Sequence, residues 1–153
     1  ELVQRRFETD DCEGAFVVVV ATDEAAANER VAVAAREAGA LVNRADEPAA
    51  GDFVVPAHRR RGPVTVSVST GGASAAAGRT LVERCAAGVD EAWVTLLEVA
   101  GAMRPIAQRR IADPAARQAA LRAMTDEAAM SALRAEGEAG LRAYMERIIS
   151  DAE

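Results

Sequence analysis

Four short stretches of the chain carry residue types that can do chemistry. The first is Ala21-Thr22-Asp23, a hydroxyl and a carboxylate directly after a run of valines. If that run is a strand of an open α/β sheet, both side chains stand at its carboxyl end, where such sheets bind ligands. The same two residues also suit the cap of a following helix. The second stretch, Asn43-Arg44-Ala45-Asp46, places polar side chains at the end of the next apolar run. A carboxylate there can take a proton or attract a cation, and an aspartate of an ordinary turn reads the same way. The third, Ser69-Thr70-Gly71-Gly72-Ala73-Ser74, joins small residues to the start of a helix. Its glycines let a ligand approach the backbone, and a helix N-terminus offers N–H groups to an anion; a plain strand-to-helix turn has the same composition. The fourth, His58-Arg59-Arg60-Arg61, suits a phosphate or polycarboxylate, or is simply a solvated turn.

What these residues exclude is as useful. His58 is the sole histidine, so a His-rich metal site and any two-histidine mechanism are ruled out. No Ser-His-Asp or Cys-His set can be assembled, and no metal site is expected. Cys12 and Cys85 are far apart and make neither a disulfide framework nor a metal motif, so both are read as reduced thiols.

The elements that must position these groups follow from periodicity. Residues 1–14 read as polar loop. Ala15 to Ala21 is a continuous β-branched run, the pattern of a strand buried on both faces in a parallel sheet. Thr22 or Asp23 caps a helix over 24–38, with Val31, Ala34, Ala35 and Ala38 on one face and Gly39 as its stop. Ala40 to Asn43 resumes a strand, giving β-α-β with a right-handed crossover. After a turn at 47–51 the spacing predicts a short strand over Asp52–Pro56 and a basic turn over His58–Pro63. The alternating strand Val64–Ser69 then pairs antiparallel with the first. A helix runs from about 73 to 87. From residue 90 the pattern is helical to the end. Trp93, Leu96, Leu97, Ala100 and Met103 share a face, and Pro105 is expected to kink or stop that helix. Asp113-Pro114 opens another, and Thr125 caps a third. The last helix carries Leu133, Leu141, Tyr144, Met145 and Ile148; Gly137 and Gly140 weaken it by about 1 kcal/mol each relative to alanine.

The chain has 153 residues, half of them apolar, which suits one domain or one domain with an appendage. No apolar run approaches the roughly 20 residues of a membrane span. A net charge of -6 and only five aromatics argue against nucleic-acid binding. All 18 basic residues are arginine, read as genome composition bias. The chain opens at Glu1 with no secretory leader, so a cytoplasmic location and a start beyond the natural one are expected.

The four stretches stand in one order: V-V-V-V-A-T-D-x4-N at 17–28, V-N-R-A-D-E-P at 42–48, D-F-V-V-P-A at 52–57 and V-T-V-S-V-S-T-G-G-A-S at 64–74. The series resembles the precorrin-2 dehydrogenase / sirohydrochlorin ferrochelatase family of sirohaem biosynthesis, over residues 7 to about 90. The resemblance implies an α/β fold: a partial Rossmann-type NAD-binding domain over 1–50, a dimerisation β segment with its helix over 51–89 and a helical domain over 90–153. It implies NAD-dependent oxidation of precorrin-2 to sirohydrochlorin, Fe2+ insertion as a further activity, and a homodimer that binds neither nucleic acid nor membrane. Carried over residue by residue, it gives Asp46 the acid/base role, Thr22, Asp23 and Asn43 the cofactor side, and Ser69, Thr70, Gly71, Gly72, Ser74 and Arg59 the tetrapyrrole.

The chain departs from the family where a Gly-rich turn for the NAD pyrophosphate would stand; residue 1 is expected to correspond to a point after it. Ala75 replaces a usual proline, and Thr70 a frequent serine. Two other readings remain. A non-catalytic dimeric relative that binds tetrapyrrole or a partner is favoured by the missing Gly-rich turn and opposed by Asp46 and the S-T-G-G turn. A small-alcohol dehydrogenase is disfavoured, because the chain has no lysine, Tyr144 lies in the tail and His58 sits in the basic stretch.

Overall fold

The computed structural model describes residues 2–153. The chain forms two compact units, Glu1–Ala57 with Ser69–Gly78 and His58–Val68 with Arg79–Glu153. The segment 51–89 is thus shared between the units.

In the first unit, β1 (Val17–Val20), α1 (Ala25–Glu37) and β2 (Leu41–Arg44) form the expected β-α-β. The strands are parallel, with Val17 opposite Leu41 and Val20 opposite Arg44. Gly39, at φ +80°, ends α1 in a Schellman turn: Gly39 N–H bonds Arg36 O and Ala40 N–H bonds Ala35 O, both at 2.9 Å. The core is small, built from Cys12, Val20, Ala32, Ala34, Ala35, Ala40 and Val42. Ala38 lies outside it, exposed at the helix end. β1 is not buried on both faces as its valine run predicts. Val20 is buried, whereas Phe16, Val17 and Val19 are exposed, because helix α1 covers only one side of a two-stranded sheet. A strand's composition fixes what it tolerates, and its neighbours decide what is covered.

Asp52–Pro56 is not a strand. Side chains tie it to β2 in place of a ladder: Asp52 carboxylate accepts Val42 N–H at 2.8 Å, Asp52 N–H bonds Val42 O at 2.7 Å, and Asn43 Nδ2 donates to Phe53 O at 2.9 Å. Gly51 permits this approach, since a Cβ there would stand 3.0 Å from Arg44 N.

The paired strands are β3 (Ala57–Arg61) and β4 (Val64–Val68). The basic stretch is therefore strand, and only Gly62-Pro63 turns. A two-residue connection requires an antiparallel hairpin. Proline fixes a negative φ at 63, so Gly62, at φ +53°, supplies the positive one, as a type II′ turn demands. α2 (Ala75–Ala86) follows, capped by Ser74 Oγ, which accepts Ala77 N–H at 3.1 Å.

The second unit is dominated by α3 (Glu91–Arg110), α4 (Pro114–Ala123) and α5 (Glu127–Asp151). Asp90, Asp113 and Asp126 cap them, each accepting the backbone N–H of the third residue of its helix. The third cap is Asp126 rather than Thr125, one residue later than expected. α3 runs through Pro105 to Arg110. Its buried residues Leu96, Val99, Met103 and Ala107 lie on both sides of the proline. Burying them at about 1.5–3 kcal/mol per large side chain outweighs a proline penalty of about 3 kcal/mol. Trp93 is off this face and exposed, while Val94 and Val99 are on it. Gly137 does more than weaken α5: at φ 68°, ψ -166° it interrupts the helix. Gly140 sits so close to Glu136 that a Cβ would fall 2.2 Å from the Glu136 Cβ.

Leu141, Met145 and Ile149 are fully buried in this core, with Tyr144 and Ile148 at its edge. Leu141→Ala is expected to lower stability by about 2–5 kcal/mol, the transfer and cavity cost of a buried leucine. Urea unfolding would show it as a reduced midpoint at constant slope; a loss below 1 kcal/mol would mean the site collapses around the truncation. Among the described residues no helix is long and apolar enough to cross a membrane.

Candidate strand-end site

At the end of β1, Thr22 does not cap α1; the cap position falls on Glu24. Thr22 is instead gripped by Asn28, which lies fully buried near the start of α1. Asn28 Oδ1 accepts Thr22 N–H at 3.2 Å and Thr22 Oγ1–H at 2.5 Å. Asn28 Nδ2 donates to Thr22 O at 3.0 Å, and the amide also favours the ionised form of the Asp46 carboxyl. The six-residue spacing of A-T-D-x4-N thus has a physical reason: the first turn of α1 brings residue 28 back to residue 22. Asp23 is exposed beside it.

At the end of β2, Arg44 shares the buried face of Val42, two residues before it. Its side chain is 3% exposed, yet it carries a charge. Asp46 answers it with a two-point fork, Nε to Oδ1 and Nη2 to Oδ2, both 2.9 Å. Glu29 adds a bond from Nη1 at 2.7 Å, and Glu47 lies 3.6 Å from Nη2. The Arg44 fork, with Asn28 as a second donor, holds the Asp46 carboxyl well below the usual carboxylate range. A lowered value means the folded state is favoured above that range, and that this contribution drains away as pH falls through it. Asn43, by contrast, faces Phe53 O and serves the backbone.

The glycine turn belongs to the same unit as Asp46. Gly71 and Gly72 stand at φ 60° and 85°, a region costly for other residues. Thr70 Oγ1 donates to Ser74 O at 3.1 Å and accepts Ser74 N–H at 3.3 Å. Ser69 Oγ accepts Gly71 N–H at 3.3 Å. Arg59 falls in the other unit and pairs with Glu83. With Arg60, Arg61, Val64 and Val66 it lines a depression of about 330 Å³. An anion at Arg59 would have to displace Glu83.

The structure thus holds Thr22 on Asn28, whose amide also lowers the Asp46 carboxyl. Arg44 and Glu29, which complete the cluster, were not singled out by residue type. The alternation that buries Val42 also buries Arg44, and that is the signal that could have found it. Among the described residues no group of three or more His, Cys, Asp or Glu is placed to hold a metal ion. A dinucleotide fits only in part: Thr22 and Asp23 line the strand end where such cofactors lie. The β1–α1 junction has no glycine and carries Glu24 at the head of the helix, so it is not the place where a pyrophosphate would be held.

Comparison with known proteins bears on this site. Residues 1–57 match a family model described as "Putative NAD(P)-binding". The siroheme synthase of Methylococcus capsulatus is 41% identical over 112 residues, 73% of this chain and 24% of its own length. That of Nitrosococcus oceani is 36% identical over 115 residues, 75% and 25% respectively. The chain therefore spans about a quarter of the curated relatives it matches. Among solved structures, SirC, a precorrin-2 dehydrogenase, superposes with a TM-score of 0.76 at 22% identity, over 95% of this chain and 70% of that one. This likeness shows a shared fold, a partial Rossmann-type α/β unit followed by helices. By sequence the chain belongs to the siroheme synthase family.

Proposed function

We propose that this chain takes part in sirohaem biosynthesis by oxidising precorrin-2 to sirohydrochlorin with NAD+. The observation that carries this reading is Asp46: a partly exposed carboxylate at the end of β2, forked by the buried Arg44, inside the region that matches the NAD(P)-binding model. The overall reaction removes two hydrogens from the macrocycle, giving sirohydrochlorin, NADH and a proton. NAD+, when bound, supplies the two-electron acceptor. As hydride leaves, positive charge develops on the ring, and an ionised carboxylate beside it lowers that cost. The proton is then released to water.

The ring's carboxylates suit the turn at Ser69, Thr70, Gly71, Gly72 and Ser74. A Cβ on either glycine would meet nothing within 4 Å, so the turn presents open backbone. The same reading makes the working form a cytoplasmic homodimer and Fe2+ a second substrate. The test is anaerobic incubation of the protein expressed from its own gene with precorrin-2 and NAD+, followed by addition of Fe2+. NADH and sirohydrochlorin appearing in equal amounts support it. Tetrapyrrole binding without NADH formation overturns it in favour of a non-catalytic relative.

A further inference from the structure

We infer that Arg44 is the positioning residue of this site: buried at the end of β2, it fixes the orientation of the Asp46 carboxylate through a planar two-point fork and is itself held by Glu29 of α1. This rests on the reading that Asp46 faces substrate. Three observations carry it. First, both Asp46 oxygens take guanidinium N–H groups at 2.9 Å, a geometry that lysine's single ammonium cannot reproduce. Second, Arg44 is buried while Asp46 remains 28% exposed; one side of the carboxylate is anchored and the other is accessible. Third, Glu29 at 2.7 Å and Glu47 at 3.6 Å supply further negative charge, so the cation does not depend on Asp46 alone to remain buried.

The charged and polar groups facing Asp46 are therefore Arg44 of β2 and Asn28 of α1; Glu29 holds the other amino group of the guanidinium, Nη1, and Glu47 lies 3.6 Å from Nη2, the nitrogen that also bonds Asp46. Both oxygens being occupied, the carboxylate is a poor proton acceptor and a good fixed anion. Arg44 thereby turns Asp46 from a base into an electrostatic group, with proton release left to water.

The test compares Arg44→Lys and Arg44→Met with the wild type in the protein expressed from its own gene. Carboxyl NMR titration of Asp46 needs no substrate. Asp46 is expected to stay ionised below the usual value of about 3.9 in the wild type, and to return to that value or above it in Arg44→Met. Arg44→Lys, which keeps the charge and the fold, should fall between them. In turnover with precorrin-2, Arg44→Lys should lose at least about tenfold in kcat with KM within about threefold, the pattern of an interaction made in the transition state. An acid limb in the carboxylate range should also appear in its pH profile. A folded Arg44→Lys with wild-type kcat, pH profile and Asp46 titration would overturn the inference. If the wild type shows no turnover, the functional reading fails, and the titration still decides whether Arg44 controls Asp46.

Discussion

Asn28→Leu is expected to destabilise the strand-end unit by about 2–4 kcal/mol, a large share of the 5–15 kcal/mol that holds a domain together. The side chain is fully buried, and leucine keeps the branch at Cγ but is larger, so polarity is lost and some overpacking is added. What is lost is three bonds to Thr22, and with them the amide's support of the ionised Asp46. A buried polar group left without its partner costs about 1–3 kcal/mol. Thr22 is exposed, so water recovers part of that, which keeps the figure below the sum of three. Asn28→Asp separates the two halves of the network. Its carboxylate still accepts from Thr22, but it gives up the donor to Thr22 O and faces Asp46 with like charge. Asn28→Asp should therefore be near its worst at neutral pH and recover as one carboxyl of the pair is protonated. Urea midpoints of both variants across pH would show this. A pH-independent loss in Asn28→Asp, or a loss below 1 kcal/mol in Asn28→Leu, would mean that water replaces the amide.

How far the sequence foretells this cluster depends on the range of the interaction. β1, α1 and β2 are legible because a valine run, an alanine-rich helix and Gly39 at its end are local signals that agree with one another. Asp46 is legible as a carboxylate after a strand, and Asn28 as part of a spaced motif. Their partners are not, since the Arg44 fork and the Glu29 bond depend on how α1 lies against β2. The hairpin illustrates a second kind of failure. Valines at 54 and 55 suggest a strand and three arginines suggest a turn, yet the pair Gly62-Pro63 outweighs both. Once that pair makes the turn, the residues flanking it must be strand whatever their propensity. The caps show a third kind. Thr125 and Asp126 are both competent, and one residue of register, set by the packing of Ala129 and Met130 in the core, decides between them.

Asp46→Asn and Asp46→Ala should each reduce kcat/KM for precorrin-2 oxidation by about 10²–10³, the usual effect of removing a preorganised electrostatic group from a transition state. The pair of variants separates charge from shape. Asparagine fills the same space and retains one acceptor for Arg44, whereas alanine removes both. If the carboxylate acts as a fixed anion, the two should be equally impaired, because both lack the charge that the developing cation requires. If Asp46 worked chiefly as a shaped wall of the site, asparagine would retain most of the activity. Arg44 remains bound to Glu29 in either variant, so the buried cation keeps a partner and the variants should fold. Circular dichroism melts alongside the assay would verify that. Near-wild-type kcat/KM in either variant would remove Asp46 from the chemistry. Full activity in Asp46→Asn with loss only in Asp46→Ala would leave it a role in shape alone.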